Sequence, residues 1–247
     1  MKSLIVDIGN TSIKYAVVER GVLLSELRSG EFRKDELSKW LKESEVRRAI
    51  VSSTRGDASQ VAAYLTEQGI DTLLFTADTP VPLKSDYLSP ATLGRDRLAA
   101  AVGAEKLYPG GNILIVDFGT AVTVDLVSEG VYRGGFISPG LSMRFRALNE
   151  YTASLPLLSL SGDRGADSDT GLTTNDSIRL GVFRGLCYEI EGHISYFSGK
   201  FDNLTIIFAG GEAKDFAKRI KNAIFADCDL VIKGLNRILE YNRDVEK

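Results

Sequence analysis

The feature of this sequence that most constrains its fold is a short unit that occurs twice. In the first copy an apolar, β-prone run at 3–6 leads into Asp7-Ile8-Gly9-Asn10-Thr11-Ser12, and strand-type sequence resumes at 13–18. In the second copy the run 112–116 leads into Asp117-Phe118-Gly119-Thr120, and strand-type segments follow up to 137. One Asp-x-Gly-polar segment is an ordinary turn, because Asp, Gly and Asn are common turn residues. Two copies in matching strand contexts indicate a duplicated fold.

Helix-type and strand-type patterns alternate behind each copy. The pattern predicts helices at 34–44, 58–68, 140–151, 175–198, 212–222 and 235–241, and strands at 49–52, 72–75, 204–208 and 229–232. Such alternation predicts sheets covered by helices. We therefore expect two halves, 1–111 and 112–247, although no Pro/Ser-rich linker marks their junction. The polar segment 159–173 is predicted to be a surface loop.

Composition excludes several classes of protein. With 247 residues, 44% of them apolar and 26% charged, the chain can bury a substantial core. No segment of the sequence approaches the roughly 18 consecutive apolar residues of a membrane-spanning helix. The first residues also lack the apolar region of a secretory signal peptide. We therefore expect a cytoplasmic protein without membrane contact. A net charge of −3 argues against a nucleic-acid partner. Cys187, Cys228 and His193 lack zinc-ligand spacing, and two buried reduced thiols are expected.

The two repeated tips suggest phosphate chemistry. The chain has neither a G-x-x-x-x-G-K-[ST] loop nor a G-x-G pair, so the commonest nucleotide motifs are missing. Each tip nevertheless offers backbone N–H groups, side-chain amide or hydroxyl donors, and an Asp that suits a hard cation. Two such tips on one triphosphate would form an ATP–metal site.

A second constellation, Gly94-Arg95-Asp96-Arg97, precedes a strong helix pattern at 98–102. Asp96 would lie at a helix N-terminus, where the dipole favours the ionised carboxylate that a general base requires. It could equally be the N-cap, and the two roles are compatible. The flanking arginines favour a substrate with a carboxylate, which a guanidinium binds through paired donors.

Taken in order along the chain, these segments resemble the type III pantothenate kinases, a family of the acetate and sugar kinase/Hsp70/actin superfamily. The matching segments are two phosphate motifs, a G-x-D-R pantothenate motif, a dimer-interface segment and an adenosine motif: 7–14, 117–123, 94–97, 135–140 and 209–211. The resemblance implies an α/β fold of duplicated actin-like (ribonuclease H-like) halves. Each half is then a mixed sheet flanked by helices, with a nucleotide cleft between the halves.

The resemblance also implies an activity, namely ATP-dependent phosphorylation of (R)-pantothenate to 4'-phosphopantothenate, the first step of coenzyme A biosynthesis, by a homodimer. One alternative is another kinase of the superfamily, acting on a sugar or a short-chain acid, which the 94–97 motif disfavours. The other is a non-catalytic nucleotide-binding regulator, which the short chain and the lack of a basic segment disfavour.

By resemblance, Asp96 is the catalytic base, and the remaining site residues fall into three groups. The ATP-binding residues are Asp7, Ile8, Gly9, Asn10, Thr11, Ser12, Ile13, Lys14, Thr120, Gly210 and Gly211. The substrate-binding residues are Tyr87, Gly94, Arg95, Asp96, Arg97 and Thr174. Asp7 is expected to contact Mg²⁺, directly or through water, and Asp117 a monovalent cation, K⁺ or NH₄⁺.

Several of these assignments leave a structural role open. Lys14 could face phosphate or solvent, and Tyr87 could be a core residue. Either Thr174 or Asn175 could cap the helix that follows it. Of the two arginines, Arg97 is the preferred carboxylate contact, and Arg95 is expected to face solvent.

Overall fold

The computed structural model describes residues 1–42, 44–56, 58–160, 169–220, 225–226 and 229–245. The first half contains the strands β1 (Lys2–Ile8), β2 (Ile13–Glu19), β3 (Val22–Ser29), β4 (Arg48–Ser53), β5 (Asp71–Leu74) and β6 (Lys84–Ser85). Its helices are α1 (Lys34–Leu41), α2 (Ser59–Glu67) and α3 (Arg95–Leu107).

The second half repeats this order of elements, with one additional helix after its third strand and without a counterpart of β6. Its strands are β7 (Asn112–Phe118), β8 (Ala121–Ser128), β9 (Val131–Pro139), β10 (Thr205–Ala209) and β11 (Phe225–Ala226). Its helices are α4 (Leu141–Glu150), α5 (Thr174–Ser198), α6 (Ala213–Ala217) and α7 (Leu230–Val245).

The sheet topology confirms the duplication. The first sheet has the order β3-β2-β1-β4-β5, and the second has β11-β10-β7-β8-β9-β6. Read from the other edge, the second sheet reproduces the first strand for strand, with β6 added. In both sheets the two crossover connections are parallel, from β1 to β4 to β5 and from β7 to β10 to β11. The predicted α/β fold of two mixed sheets with flanking helices is therefore confirmed.

Both repeated acids occupy the same place in this topology. β1 and β7 are the central strands, and their apolar residues Leu4–Val6 and Ile113–Val116 are completely buried. Asp7 and Asp117 are each the last residue but one of these strands. A polar side chain at the end of a buried central strand is thus held by the most rigid part of each sheet.

By contacts the chain forms two compact units. One contains Met1–Gly111, Leu126–Gly134 and Asp229–Lys247, and the other contains Asn112–Asp125 and Gly135–Cys228. The helix α7, which ends the second half of the sequence, therefore belongs to the first unit. The division into two actin-like halves, 1–111 and 112–247, stays a prediction.

Two sequence predictions near the C-terminus need correction. Residues 229–232 were expected to form a strand, but α7 begins at Leu230, and its residues Leu230, Ile232, Leu235, Ile238 and Leu239 are buried. A helix predicted at 212–222 is the much shorter α6.

Cys187 is a buried free thiol. Cys228 and residues 161–168 of the predicted surface loop lie outside the described residues.

None of the described helices combines the length and apolar character needed to cross a membrane.

Candidate active site

The first repeated hairpin has a four-residue tip between β1 and β2. The Gly9 N–H donates to the Ser12 carbonyl across the tip, at 3.0 Å. Ile8 and Ile13, which flank the tip, are 5% and 2% exposed and pack in the core, so only their backbones could meet a ligand. Asn10 and Thr11 are exposed. The tip therefore presents backbone and polar side chains, as a phosphate site requires.

Asp7 lies in a row of polar side chains that crosses three strands. Its register partners are Lys14 on β2 and Ser52 on β4. Among the described residues, neither Asp7 Oδ1 nor Ser52 Oγ has a hydrogen-bond partner, although both atoms are buried. Burial, with a contribution from the nearby Asp96 charge, raises the pKa of Asp7 to about 6, while Lys14 opposes the rise. The row thus has unsatisfied oxygens that favour a bound cation or its waters.

The Lys14 ammonium group lies against two carboxylates. Nζ donates to Asp229 Oδ1 at 2.8 Å and forms an ion pair with Glu26 Oε2 at 3.2 Å. Its side chain is only 12% exposed, so it does not face solvent. A contact between Lys14 and phosphate stays a prediction.

The start of α3 contains the candidate base. Gly94 occupies the N-cap position and Asp96 lies in the first turn, so Asp96 is not the cap residue. Its Oδ1 accepts from the Arg97 N–H at 2.8 Å. A Cβ at Gly94 would lie 2.6 Å from that oxygen, so a side chain there would displace the carboxylate. The motif glycine therefore makes room for the Asp96 side chain.

Arg97 and Tyr87 lie together beside this turn. The Arg97 guanidinium is 6.0 Å from the centre of the Tyr87 ring, within range of a cation–π contact. Arg97 is 6% exposed, whereas Tyr87 is half-buried rather than a core residue. The two side chains combine a buried cation with an accessible aromatic face.

The expectation that Arg95 faces solvent is wrong. Its guanidinium donates to the backbone carbonyls of Leu93 at 3.0 Å, Thr76 at 3.1 Å and Pro90 at 2.7 Å. It also lies 5.7 Å from the centre of the Phe75 ring. Arg95 therefore fastens the segment 76–93 to the start of α3, which leaves it few donors for a substrate.

The second repeated hairpin has a shorter, two-residue tip at 119–120. Two glycines from other elements approach it closely. A Cβ at Gly140 would lie 2.3 Å from the Thr120 carbonyl oxygen, and one at Gly210 would lie 2.4 Å from Asp117 Oδ1 and 2.5 Å from the Phe118 carbonyl oxygen. Gly210 also has a φ of 88°, which favours glycine. Asp117, Thr120 and Gly210 are thus brought together, and the neighbouring Gly211 is exposed.

Thr174 is not the cap of α5. Thr173 is the N-cap, and its hydroxyl oxygen accepts from the Asp176 N–H at 3.2 Å. Thr174 is exposed and lines an apolar cavity of about 800 Å³ between α4 and α5. Its hydroxyl is consequently available to a ligand.

Two polar residues at these sites were missed by the sequence reasoning. Ser52 is the last residue but one of the buried strand β4 and lies opposite Asp7. Glu212 directly follows the Gly210-Gly211 turn, and its Oε2 is buried without a hydrogen-bond partner in the described structure. The polar end of an apolar strand was a usable signal for Ser52. No sequence pattern indicated a role for Glu212, because its surroundings come from distant segments of the chain.

Solved structures identify the class of fold. A Campylobacter jejuni protein assigned to the Baf family of transcriptional activators matches with a TM-score of 0.63 at 20% identity, over 98% of this chain and 99% of that one. A ROK family glucokinase from Streptomyces griseus, in complex with glucose and AMPPNP, matches with a TM-score of 0.54 at 13% identity, over 98% and 100%. The chain shares the actin-like α/β fold of these two proteins.

Sequence relatives then define the family. The family model for type III pantothenate kinase matches residues 3–196. Proteins named type III pantothenate kinase from Phocaeicola vulgatus and Bacteroides fragilis are 39% and 40% identical to this chain, each over 97% of it and 98% of the relative. The chain belongs to the type III pantothenate kinase family, and it is a kinase.

Proposed function

We propose that this protein transfers the γ-phosphoryl group of ATP to the terminal hydroxyl of (R)-pantothenate, giving 4'-phosphopantothenate. The observation that carries the proposal is the pair of Asp-x-Gly hairpins at the ends of the equivalent central strands β1 and β7. A duplicated phosphate-binding hairpin suits a triphosphate, because phosphoryl transfer depends mainly on alignment and on neutralising charge.

In this proposal the first hairpin binds the β- and γ-phosphates. The backbone of 8–13 and the polar side chains of Asn10, Thr11 and Ser12 donate to phosphate oxygens. Thr120 donates from the second hairpin, and the Gly210-Gly211 turn allows a close approach of the nucleoside. The core positions of Ile8 and Ile13 support a backbone role for these two residues.

Asp96 accepts the proton of the attacking hydroxyl. Its place in the first turn of α3 supports this role, because the helix N-terminus stabilises the ionised carboxylate. Arg97 binds the pantothenate carboxylate, and Tyr87 covers its apolar portion. The buried position of Arg97 supports this assignment, since a desolvated guanidinium interacts more strongly with a carboxylate than an exposed one.

The residues present fit two cations. The unpartnered, buried Asp7 Oδ1 suits a hydrated Mg²⁺, which would neutralise phosphate charge during transfer. Around Asp117, the space that a Gly210 Cβ would fill is bordered by a carboxylate oxygen and the Phe118 carbonyl oxygen, both hard donors. This donor set is compatible with K⁺ or NH₄⁺.

The protein is proposed to act as a homodimer. Phe136 and Ile137 on β9 are 45% and 64% exposed, and Tyr188 and Tyr196 on α5 are 65% and 55% exposed. Large exposed side chains of this kind favour a protein interface. If the partner completes the pantothenate site near Thr174, then Ile137→Asp should yield a monomer in analytical ultracentrifugation that is folded but inactive. A monomer with full turnover would contradict this arrangement.

A coupled ADP-release assay tests the reaction itself. Purified protein with ATP, Mg²⁺ and K⁺ should turn over pantothenate and leave acetate and a panel of sugars unchanged. Asp96→Asn keeps the shape of the side chain and removes the base, so turnover should fall at least about a hundredfold while ATP still binds. Turnover of a sugar or acetate without turnover of pantothenate would refute the proposal.

A further inference from the structure

The hydroxyl group of Ser52 is buried at a position where the strand itself does not use it. Ser52 is 0% exposed, and its Oγ has no hydrogen-bond partner among the described residues. The next residue, Ser53, differs, because its Oγ accepts from the Arg55 N–H at 3.3 Å in the turn after β4. An unpaired buried hydroxyl costs a protein stability, and an alanine would fill the same place without that cost. A local structural role therefore does not account for Ser52.

The alternation of side chains along β4 shows which face of the sheet carries Ser52. Ala49 and Val51 belong to the core cluster that also contains Leu37 of α1. Successive side chains of a strand point to opposite faces, so Ser52 points to the other face, where α3 packs on β4. The candidate base Asp96 lies in the first turn of α3. Ser52 therefore faces the helix that carries the candidate base.

Ser52 lies beside Asp7 of the neighbouring strand. The two residues are register partners in the parallel pair of β1 and β4, so their side chains point to the same face. Neighbouring strands are about 4.8 Å apart, a distance that one water can span with two hydrogen bonds of about 2.8 Å. Asp7 Oδ1 is also buried, and within the described part of the chain it has no partner, so the two oxygens do not bond each other. The pair of oxygens therefore suits a hydrated cation.

Backbone contacts fix the end of β4 against the first hairpin. The Thr54 N–H donates to the Ile8 carbonyl at 2.9 Å, and the Thr54 hydroxyl donates to the same oxygen at 3.3 Å. The pairing of β1 with β4 thus continues past Ser52 to the start of the hairpin tip. The Ser52 hydroxyl is consequently held at a fixed place relative to Asp7.

We propose that Ser52 is a positioning residue for the Mg²⁺ of the nucleotide, with its hydroxyl oxygen accepting from a water of the hydrated cation that Asp7 binds. The proposal rests on the proposed function, in which Asp7 contacts this Mg²⁺. Mg²⁺ keeps several of its waters when it binds to a protein, and those waters need acceptors. Removal of a group that holds a metal's ligands from outside typically lowers metal affinity by roughly 10–100-fold.

The experiment measures binding of the non-hydrolysable ATP analogue AMPPNP by calorimetry, in Mg²⁺ and in EDTA. The affinity in Mg²⁺ divided by the affinity in EDTA gives the Mg²⁺ gain. We expect Ser52→Ala to reduce the Mg²⁺ gain about tenfold and to leave the affinity in EDTA unchanged. In the ADP-release assay, the KM for ATP in Mg²⁺ should rise about tenfold with kcat little changed. The ligand-free variant should melt at or above the temperature of the wild type, because an unpaired buried hydroxyl has been removed.

Three variants separate the hydroxyl from its surroundings. Ser53→Ala removes a hydroxyl from the adjacent residue, which points to the opposite face, and should leave the Mg²⁺ gain unchanged. Ser52→Cys nearly keeps the size of the side chain but offers only a weak acceptor, so it should reduce the Mg²⁺ gain as Ser52→Ala does. In a protein that already carries Asp7→Asn, the Ser52→Ala change should have no further effect, because both residues act on the same cation.

Four outcomes would overturn the proposal. They are an unchanged Mg²⁺ gain in Ser52→Ala, an equal loss of affinity in Mg²⁺ and in EDTA, a lower melting temperature of the ligand-free variant, and a full Mg²⁺ gain in Ser52→Cys. The last two would give Ser52 a structural or packing role. Failure of the proposed function is distinguishable, because a wild-type protein whose AMPPNP binding does not respond to Mg²⁺ would refute the assignment of Mg²⁺ to Asp7 itself.

Discussion

The crossing of α3 and α7 offers a quantitative test of how the first unit is held together. The two helices approach at Gly103 and Gly234. A Cβ at Gly234 would lie 1.8 Å from the Ala99 carbonyl oxygen, and one at Gly103 would lie 2.5 Å from the Leu230 carbonyl oxygen. The clashing atoms are backbone, so no side-chain rotation relieves them. Gly234→Ala must therefore push the two helices apart.

The expected cost follows from two opposing effects. Overpacking of a core costs about 1–3 kcal/mol, and a backbone clash of this size belongs at the upper end. Alanine recovers about 1 kcal/mol of helix propensity relative to glycine. The net loss for Gly234→Ala is therefore about 2 kcal/mol. In a chain of this length that corresponds to a fall of about 4–8 °C in the melting temperature.

Gly192→Ala is the matched control. Gly192 lies in α5, and a Cβ there would meet no atom within 4 Å. The same substitution should then raise stability by up to about 1 kcal/mol, because only the propensity term remains. Differential scanning calorimetry of both variants measures the difference. Equal stability of Gly234→Ala and wild type would show that this crossing is not tightly packed and would refute the reasoning.

Three further predictions concern the site. Because the folded pKa of Asp7 is raised from 3.8 to about 6, its stability contribution is present at low pH and is lost as pH rises through 6. Asp7→Asn should therefore stabilise the ligand-free protein more at pH 8 than at pH 5, and chemical denaturation should show a difference of about 1 kcal/mol between the two stabilisations. The same variant should abolish Mg²⁺-dependent nucleotide binding. Equal stabilisation at both pH values would contradict the burial of this charge. Arg95→Ala should raise the KM for pantothenate about tenfold with little change in the KM for ATP. It should also speed hydrogen exchange in 76–93, because three carbonyls lose a charged donor. An unchanged exchange rate would show that Arg95 does not hold this segment in place. Asp117→Asn should remove activation by K⁺ in a salt titration at constant ionic strength, whereas retained activation would place the monovalent cation elsewhere.

Much of the fold could be predicted from the sequence because its signals are local. The runs before Asp7 and Asp117 are apolar and β-prone, and the turn residues that follow end each strand at the expected place. The apolar pattern after Asp96 likewise predicted the helix that follows it. The strand orders then agree with the duplication that these segments implied, because identical local units tend to make identical pairings.

The start of α7 shows where local signals fail. Leu230, Val231 and Ile232 favour a strand when considered alone, because two of the three are β-branched. They form a helix because Gly103 and Gly234 allow α7 to pack closely on α3, and the buried face of that crossing outweighs the local preference.

The sequence by itself determined the duplicated sheets, the ends of β1 and β7, and the placement of Asp7, Asp96 and Asp117 at strand and helix ends. These features depend on neighbours within a few residues. Only the tertiary structure decided that Lys14 pairs with Asp229, that Arg95 donates to the Thr76 carbonyl, and that the buried Glu212 Oε2 has no hydrogen-bond partner among the described residues. The partners in these cases are up to 215 positions apart, and a side chain's pairing over such distances is fixed by packing of the whole chain rather than by local preference.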